Sequence, residues 1–102
     1  QNMSPIKLST PESDTNRYYI RIRTEDKAGV LGQVGNIFGQ SDLSVHTLLQ
    51  KKRVRGEAEL IFITHPVSQS KLRKAVAQIT KLETTKEIYS IIRVEDFGAS
   101  VE

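Results

Sequence analysis

The sequence predicts an α+β fold with four strands and two helices, and three observations support this class. Apolar residues alternate with polar ones in several short segments, which is typical of half-buried strands. Two other segments place apolar residues at the spacing of an amphipathic helix. Turn residues separate the segments wherever the period changes. With 102 residues and a hydrophobic content of 37%, the chain forms one domain with a modest core.

The first half of the pattern is a strand, a helix and a second strand. In "RYYIRIRT", Tyr18, Ile20 and Ile22 fall on one face of a strand. Helical spacing begins at Val30 and ends at Gly39, where "QSD" follows. The segment "LSVHTLLQKK" then predicts the second strand.

The second half is a strand, a helix and a last strand. "EAELIFITH" has four successive apolar residues, 60–63, which predict a central strand covered on both faces. Ser68 is placed to cap a second helix, and "EIYSIIRVE" predicts the fourth strand. One stripe of the second helix is apolar and consists of Leu72, Ala75, Val76, Ile79 and Leu82. The order β-α-β-β-α-β predicts a ferredoxin-like fold, a four-stranded antiparallel sheet with two helices on one face.

Composition divides the chain into three parts. Residues 1–16 are rich in Ser, Thr, Pro, Asn and Asp and show no period, so they are interpreted as a flexible linker. The folded domain is predicted over residues 17–96, and residues 97–102 form a tail. A domain that begins with a linker is compatible with either the end of a longer protein or a natural short chain.

Bulk properties exclude several functional classes. The chain has no cysteine, which removes disulfides and thiolate metal sites. No apolar run approaches the roughly 18 residues of a membrane helix, and the N-terminal segment has no apolar signal core. We therefore expect a soluble, cytoplasmic protein without a membrane partner. The net charge of +3 is spread along the chain and forms no dense phosphate-binding stripe.

RNA binding is the first rival function, because the RNA recognition motif has the same element order. Arg55, Gly56 and Phe62 fit the pattern of its third strand. The two positions whose aromatic rings would stack on bases are Glu57 and Glu59, which have no π-face and repel phosphate. The sequence therefore disfavours a nucleic-acid partner.

Catalytic and cofactor motifs are also weak. His46 and His65 lack the spacing of a helical zinc site and are interpreted as strand and turn residues. Ser68 and Lys71 match a serine–lysine nucleophile pattern, but its companion motifs are absent and the chain is too short. We expect no catalytic residue, no metal and no cofactor.

Glycines in the first helix do not form a dinucleotide motif either. The spacing of Gly29, Gly32 and Gly35 differs from G-x-G-x-x-G, and no parallel-sheet pattern surrounds it. Each glycine inside a helix costs about 1 kcal/mol relative to alanine. Close packing against the sheet or against a neighbouring chain would compensate this cost.

The turn "DKAGVL" carries the chemistry that best fits a ligand. Backbone N–H groups around Val30 and Leu31 would attract a carboxylate at the start of a helix. Asp26 would pair with an ammonium group, and Gly29 would let the backbone approach closely. A ligand with both groups is an amino acid. The alternative is structural, with Asp26 capping the turn and Gly29 supplying an unusual backbone angle.

The stretch "RYYIRIRTEDKAGVLGQVGNIFGQSDLSV" resembles the start of an ACT domain, with a strand, D-x-x-G-x-L, a helix and a second strand. The resemblance covers roughly residues 17–95. "LLQKK", "AELIFITHPVS" and "SIIRVED" are similar to the C-terminal ACT domain of bacterial homoserine dehydrogenases, which is associated with feedback control by threonine. By this resemblance the chain is an excised regulatory piece whose partner is the catalytic domain of an NAD(P)-dependent oxidoreductase, and which is not itself an enzyme.

The resemblance also implies a ligand site between two copies of the domain. It places Asp26, Gly29, Val30 and Leu31 on the loop side of this site. It places Asp42, Leu43 and Gln50 on the strand side. Many relatives have proline at the position of Ala28, and glycine or asparagine at that of Asp42. A carboxylate at position 42 would either strengthen the hold on an ammonium group or repel the ligand's carboxylate.

Two functions remain after these steps. The first is an amino-acid-binding regulatory domain with threonine as its effector. The second is a domain of the same fold that binds no ligand and holds subunits together. Both imply a homodimer, because the uncharged second strand "LSVHTLLQ" lies at a sheet edge in the expected strand order. Pairing two copies there would bury Leu48 or Leu49.

Overall fold

The computed structural model describes residues 14–94. The elements in chain order are β1 (Thr15–Glu25), α1 (Val30–Gln40), β2 (Val45–Lys52), β3 (Glu57–Thr64), β4 (Val67–Ser68), α2 (Gln69–Thr80) and β5 (Thr85–Val94). The predicted ferredoxin-like order is confirmed, with the two-residue strand β4 as an addition.

The start of the first strand differs from the expectation. β1 begins at Thr15, two residues before the predicted Arg17. Thr15 and Asn16 pair with Ser68 and Val67 of β4, which gives these polar residues a backbone partner that sequence periodicity does not reveal. The rest of the predicted linker, residues 1–13, and the predicted tail, residues 97–102, lie outside the described residues.

The main sheet is antiparallel and has the order β2-β3-β1-β5. β1 and β3 occupy its centre, and β2 and β5 form its two edges, as the sequence predicts. Because α1 connects β1 to β2, it lies over the β2 half of the sheet, whereas α2 connects β3 through β4 to β5.

The core lies between the sheet and the helices. Tyr18, Ile20 and Ile22 of β1 point into it, as the period of two predicts. Phe38 of α1 meets Phe62 of β3 edge to face, with ring centroids 4.8 Å apart. α2 adds the predicted stripe, with Leu72, Ala75 and Ile79 buried and Val76 and Leu82 packed against them.

The predicted cap of the second helix is confirmed. Ser68 is the N-cap residue of α2 and has an extended backbone, and its Oγ accepts a hydrogen bond from the Lys71 N–H at 3.2 Å. This bond satisfies one of the amides that the first helical turn leaves without a partner inside the helix. Ser68 therefore has a structural role that accounts for its position.

The face of the sheet opposite the helices is more open than the sequence predicts. Leu60 and Phe62 are buried against the helices, whereas Ile61 and Ile63 point to the opposite face and are only half-buried. The prediction that this segment is covered on both faces is therefore wrong for the single chain. Four consecutive apolar residues cannot indicate by themselves whether the second layer is present.

An ion-pair network crosses this outer face. The Glu59 side chain is only 5% exposed and lies 2.7 Å from Nη2 of Arg21 and 3.2 Å from Nη1 of Arg53. Arg21 also lies over the ring of Tyr89, 4.7 Å from its centroid. The hydrogen bond from Arg21 holds the pKa of the Glu59 carboxyl below its ordinary value; burial opposes this shift, and the charges of Arg21 and Arg53 reinforce it.

We expect this network to make the fold sensitive to acid. Because the folded-state pKa of Glu59 is depressed, its stabilising contribution is complete above the ordinary glutamate pKa of about 4.3 and disappears as pH falls through the folded-state pKa. Urea unfolding between pH 7 and pH 2 would measure this. Glu59→Gln should reduce the loss of unfolding free energy as the pH falls below about 4.3. Glu83→Gln, on the turn between α2 and β5, should leave this loss unchanged. If the free energy of unfolding depended on pH equally in Glu59→Gln and in the wild type, Glu59 would not be the source of the acid sensitivity.

Neither helix in the described part of the chain is long and apolar enough to cross a membrane.

Candidate functional site

The loop between β1 and α1 is held at the end of the sheet by backbone hydrogen bonds. The Glu25 N–H donates to Thr84 O, and the Asp26 N–H donates to Gly56 O, each at 2.8 Å. Gly29 then adopts a left-handed φ of 91°, and Val30 begins the helix. Because that backbone conformation is strained for residues with a Cβ, the glycine is required for this entry into the helix.

The start of α1 presents uncapped backbone amides next to the loop. Among the described residues, no side chain caps this helix, whose N-cap is Gly29. The Val30 N–H is engaged by Lys27 O at 3.3 Å, and the next amides along the first turn, at Leu31 and Gly32, lack partners inside the helix. The partial positive charge of the helix N-terminus therefore faces solvent at Gly29, where an anion would be favoured.

Asp26 lies beside these amides and is paired with the neighbouring edge strand. Its Oδ2 is 3.4 Å from Nζ of Lys52, the last residue of β2, and the lysine side chain is largely exposed. An exposed pair of this kind contributes little to stability and exchanges readily. The Asp26 carboxylate is therefore held near the edge of the sheet but remains open to a competing ammonium group.

The turn after α1 holds the second predicted carboxylate. Asp42 has a left-handed φ of 58°, and its Oδ2 lies 2.7 Å from Nζ of Lys71 in the first turn of α2. The hydrogen bond and the charge of Lys71 lower the pKa of Asp42. The pair is charge-balanced, so the turn offers both a carboxylate and an ammonium group, which removes the simple repulsion of a ligand carboxylate.

Sequence reasoning does not predict the ion pairs that two lysines form with the predicted site residues. Lys52 and Lys71 were not among the predicted ligand residues, although each pairs with a predicted aspartate. No local motif signals these contacts, because Lys71 is 29 residues from Asp42 in the chain. They follow only from the packing of α2 and β2.

The predicted residues do not gather at one place in a single chain. Asp26 and Asp42 lie at opposite ends of α1, whose 11 residues span about 16 Å. Gln50 is exposed near the end of β2, two residues before Lys52, and therefore belongs with the Asp26 loop rather than with Asp42. Within one chain, the loop side and the turn side of the predicted site therefore do not meet.

Two predicted residues have core roles. Leu43 is 4% exposed and joins the core cluster, and its N–H donates to Phe38 O at 2.9 Å. Val30 is also buried, so only its backbone borders the loop. Leu31, by contrast, is partly exposed on α1. The side chain of Leu43 is directed into the core because the chain turns inward there to begin β2.

A cavity of about 450 Å³ lies on the other side of the loop. Lys27, Ala28 and Gln33 form one wall, and residues 81–84 between α2 and β5 form the other. Gln33 accepts a hydrogen bond from the Thr84 hydroxyl at 3.2 Å. This contact identifies the flank of α1 that faces α2. At 100° per residue, Leu31 and Gly35 lie about 160° from Gln33, on the flank above the β2 edge.

The outward side of α1, which Gly35 joins to this flank, carries no large side chain at three positions. A Cβ built on Gly32, Gly35 or Gly39 would meet nothing within 4 Å. The three glycines lie within an arc of about 60° on the side away from the buried residues of the helix. Packing against the sheet therefore does not compensate the cost of these glycines in a helix. Of the two explanations that the sequence suggests, packing against a neighbouring chain remains.

The two histidines come together without forming a metal cluster. The rings of His46 and His65 meet edge to face with centroids 5.2 Å apart, and Nδ1 of His46 lies 2.7 Å from the Thr47 hydroxyl. Within residues 14–94, no three side chains of His, Cys, Asp or Glu are grouped as a metal ion would need. Both residues occupy the strand and turn positions that the sequence predicts.

Comparisons with known proteins match this architecture. Homoserine dehydrogenase from Synechocystis sp. is 38% identical over 88 residues, which are 86% of this chain and 20% of that protein. Homoserine dehydrogenase from Neisseria gonorrhoeae is 30% identical over 82 residues, which are 79% of this chain and 19% of that protein. The chain therefore spans about one fifth of the length of the curated relatives it matches.

Solved structures and the family model agree with these relatives. The crystal structure of a homoserine dehydrogenase from Thiobacillus denitrificans superimposes with a TM-score of 0.78 at 24% identity, covering 92% of this chain and 21% of that one. This likeness shows the fold. The model of the ACT domain family matches residues 18–84, which include most of β1, the Asp26 loop, both helices and the turn before β5. The chain belongs to the ACT domain family.

Proposed function

We propose that this chain is an amino-acid-binding regulatory domain that controls an attached homoserine dehydrogenase catalytic region, with threonine as its effector. The observation that carries the proposal is the loop itself. It places the Asp26 carboxylate beside the uncapped N-terminus of α1, with the left-handed Gly29 between them. These are the two groups that bind the ammonium and the carboxylate of an amino acid.

The site is completed by a symmetric homodimer. A two-fold axis perpendicular to the sheet would pair β2 of one copy antiparallel to β2 of the other and set the two α1 helices side by side. The end of β2 in one copy then lies next to the start of β2 in its partner. Asp26, Leu31 and Gln50 of one protomer would thereby face Asp42 and Lys71 of the other.

Exposed surface supports the same interface. Leu48 and Leu49 of the edge strand are both exposed, and β2 has unpaired backbone groups along its outer side. Gly35 of α1 lies on the flank above this edge and would let two helices approach closely. The edge strand and the helix flank form one continuous surface, as an interface between two copies requires.

Regulation would follow from the position of the ligand between two chains. A ligand that binds one relative arrangement of the protomers more tightly shifts the equilibrium toward that arrangement, with typical coupling of about 1–3 kcal/mol. The homoserine dehydrogenase relatives are roughly four times as long as this chain, which is consistent with a catalytic region in the parent protein. We expect such an enzyme to be cytoplasmic, and we expect this domain to bind no cofactor.

We expect Asp26→Asn to weaken threonine binding about tenfold or more, because a hydrogen bond to a charged group contributes about 1.5–3 kcal/mol. The free energy of unfolding should change by less than about 0.5 kcal/mol, since Lys52 is well exposed and remains hydrated. Calorimetric titration with L-threonine and urea unfolding measure the two quantities. Glu87→Gln, the same chemical change on the outer sheet face, is the control, and unchanged affinity in Asp26→Asn would remove Asp26 from the site.

The second candidate is a dimerisation domain without a ligand. The burial of Leu43 favours it, because this predicted ligand residue stabilises the core instead. Sedimentation equilibrium with and without threonine, together with the titration, separates the two candidates. A dimer that binds no amino acid supports the second candidate, and a monomer under both conditions contradicts both.

RNA binding remains the weakest candidate. The sheet face that would bind RNA carries Glu59 between two arginines, and the ring of Tyr89 is covered by Arg21. Arg23 and Arg53 also lie within 6 Å of that ring, at 5.7 and 5.9 Å. Stacking of a base on Tyr89 would have to displace these contacts.

A further inference from the structure

A groove of about 640 Å³ lies between α2 and β5, at the opposite edge of the sheet from the proposed dimer interface. The Asp26 loop, the Asp42 turn and β2 contribute none of its lining residues. Half of its ten lining residues are apolar. These are Tyr18, Leu72, Val76, Ala77 and Ile91. Walls of this composition favour an apolar occupant.

The groove exists because α2 leaves the edge strand partly uncovered. Ile91 of β5 pairs with Ile20 of β1, so its side chain points to the helix side of the sheet. Ile20 is fully buried there, whereas Ile91 remains 44% exposed. A large apolar side chain on the core side of a sheet is normally covered. The cover that Ile91 requires is therefore not supplied by α2.

The chain before β1 reaches the fold at this groove. Asp14 and Asn16 line it, and Thr15 pairs with Ser68, the residue directly before α2. Residues 1–13 therefore join the described structure at the end of the groove where α2 begins. A segment tethered this close reaches an effective concentration on the order of millimolar, which favours it over a free partner of equal intrinsic affinity.

The sequence of this segment supplies suitable apolar side chains. Ile6 and Leu8 are separated by Lys7. In an extended chain, residues two positions apart lie on the same face. Ile6 and Leu8 would therefore face the groove together, while the charged side chain of Lys7 would face away from it into water.

The lengths of the groove and of the segment are compatible. The α2 residues that line the groove run from Gln69 to Ala77, about 12 Å at 1.5 Å per residue. Ile6 and Leu8 of an extended chain are about 7 Å apart, so both side chains fit along this length. Residues 9–13 connect Leu8 to Asp14 and can span about 20 Å, which exceeds the length of the groove.

We propose that residues 6–8 of the N-terminal segment dock in the groove between α2 and β5. Ile6 and Leu8 cover Ile91 and pack against the apolar side of α2. This contact uses none of the charged lining residues and is separate from the amino-acid site at the Asp26 loop. In a parent enzyme it would fix the chain that precedes the domain against α2 and β5, a consequence that rests on the proposed function.

NMR spectroscopy of the full 102-residue chain tests the contact directly. We expect nuclear Overhauser effects between the methyl groups of Ile6 or Leu8 and those of Val76 or Ile91. Their intensity should not depend on protein concentration, because the contact lies within one chain. The double substitution Ile6→Ser and Leu8→Ser should shift the amide resonances of Ala77 and Ile91, since it uncovers the groove.

Lys7→Ser is the matched control, because it introduces the same residue between the two docked side chains and faces away from the groove. It should leave the amide resonances of Ala77 and Ile91 unchanged. Ala77→Phe fills the groove and should remove the effects between Ile6 and Ile91, with circular dichroism used to confirm folding.

Three results would each overturn the proposal: no effects between the segment and the groove, unchanged amide resonances in the double variant, or equal shifts in Lys7→Ser. Effects found only between differently labelled copies would also overturn it and assign the groove to the segment of a second chain. A threonine titration of the double variant tests the Asp26 site separately, so failure of the docked segment is distinguishable from failure of the amino-acid site.

Discussion

Ile20→Ala should lower the free energy of unfolding by about 2–5 kcal/mol, because it removes three carbon atoms from the centre of the core. The Ile20 side chain is 0% exposed. The residue lies on β1 between Phe62 of β3 and Ile91 of β5, under the layer formed by the two helices. The structure can relax little around this position, because strands on both sides hold the backbone of β1 in place.

The same substitution on the opposite face of the sheet tests whether the loss of stability depends on burial of the side chain. Ile92→Ala makes the same chemical change on β5, but Ile92 is 55% exposed and should cost less than about 1.5 kcal/mol. Urea unfolding followed by circular dichroism at one fixed protein concentration measures both variants, so that a change in dimerisation does not distort the comparison. Equal destabilisation by the two substitutions would show that the core is not organised as described.

The repeating patterns of the sequence are sufficient to predict most of the fold. Tyr18 and Ile22 follow the period of two and are buried, and Ser68 precedes the apolar stripe of α2 and caps that helix. These features depend on neighbours within a few residues in the chain, which a pattern records directly. The pairing of Thr15 with Ser68 joins residues more than fifty positions apart, so periodicity does not reveal it.

The candidate site is predictable only in part for a related reason. Asp26 and Gly29 form a local motif, and the structure places them together at the start of α1. The family resemblance implies a ligand role for Leu43, whereas the structure directs its side chain into the core. The contact of Lys71 with Asp42 depends on how α2 packs beside the turn, which no local spacing specifies.

The proposed ACT dimer makes a prediction in which stability and assembly change in opposite directions. Gly35 lies on the flank of α1 above the β2 edge, and a Cβ there would meet nothing within 4 Å in the single chain. Gly35→Gln should therefore fit the monomer and stabilise its helix by roughly 0.5–1 kcal/mol, because glycine is the poorest helix former after proline. A second α1 helix packed against this flank would collide with the new side chain.

We accordingly expect Gly35→Gln to convert the dimer to a monomer in sedimentation equilibrium at micromolar concentration, while its far-ultraviolet circular dichroism remains that of the folded chain. Lys74→Gln introduces the same side chain on the exposed face of α2 and should leave the dimer intact. Threonine affinity should fall together with dimerisation, because the Asp26 loop loses the wall that the partner's Asp42 turn supplies. A Gly35→Gln variant that remains dimeric would place the interface elsewhere and leave the glycines of α1 without a reason in the assembly.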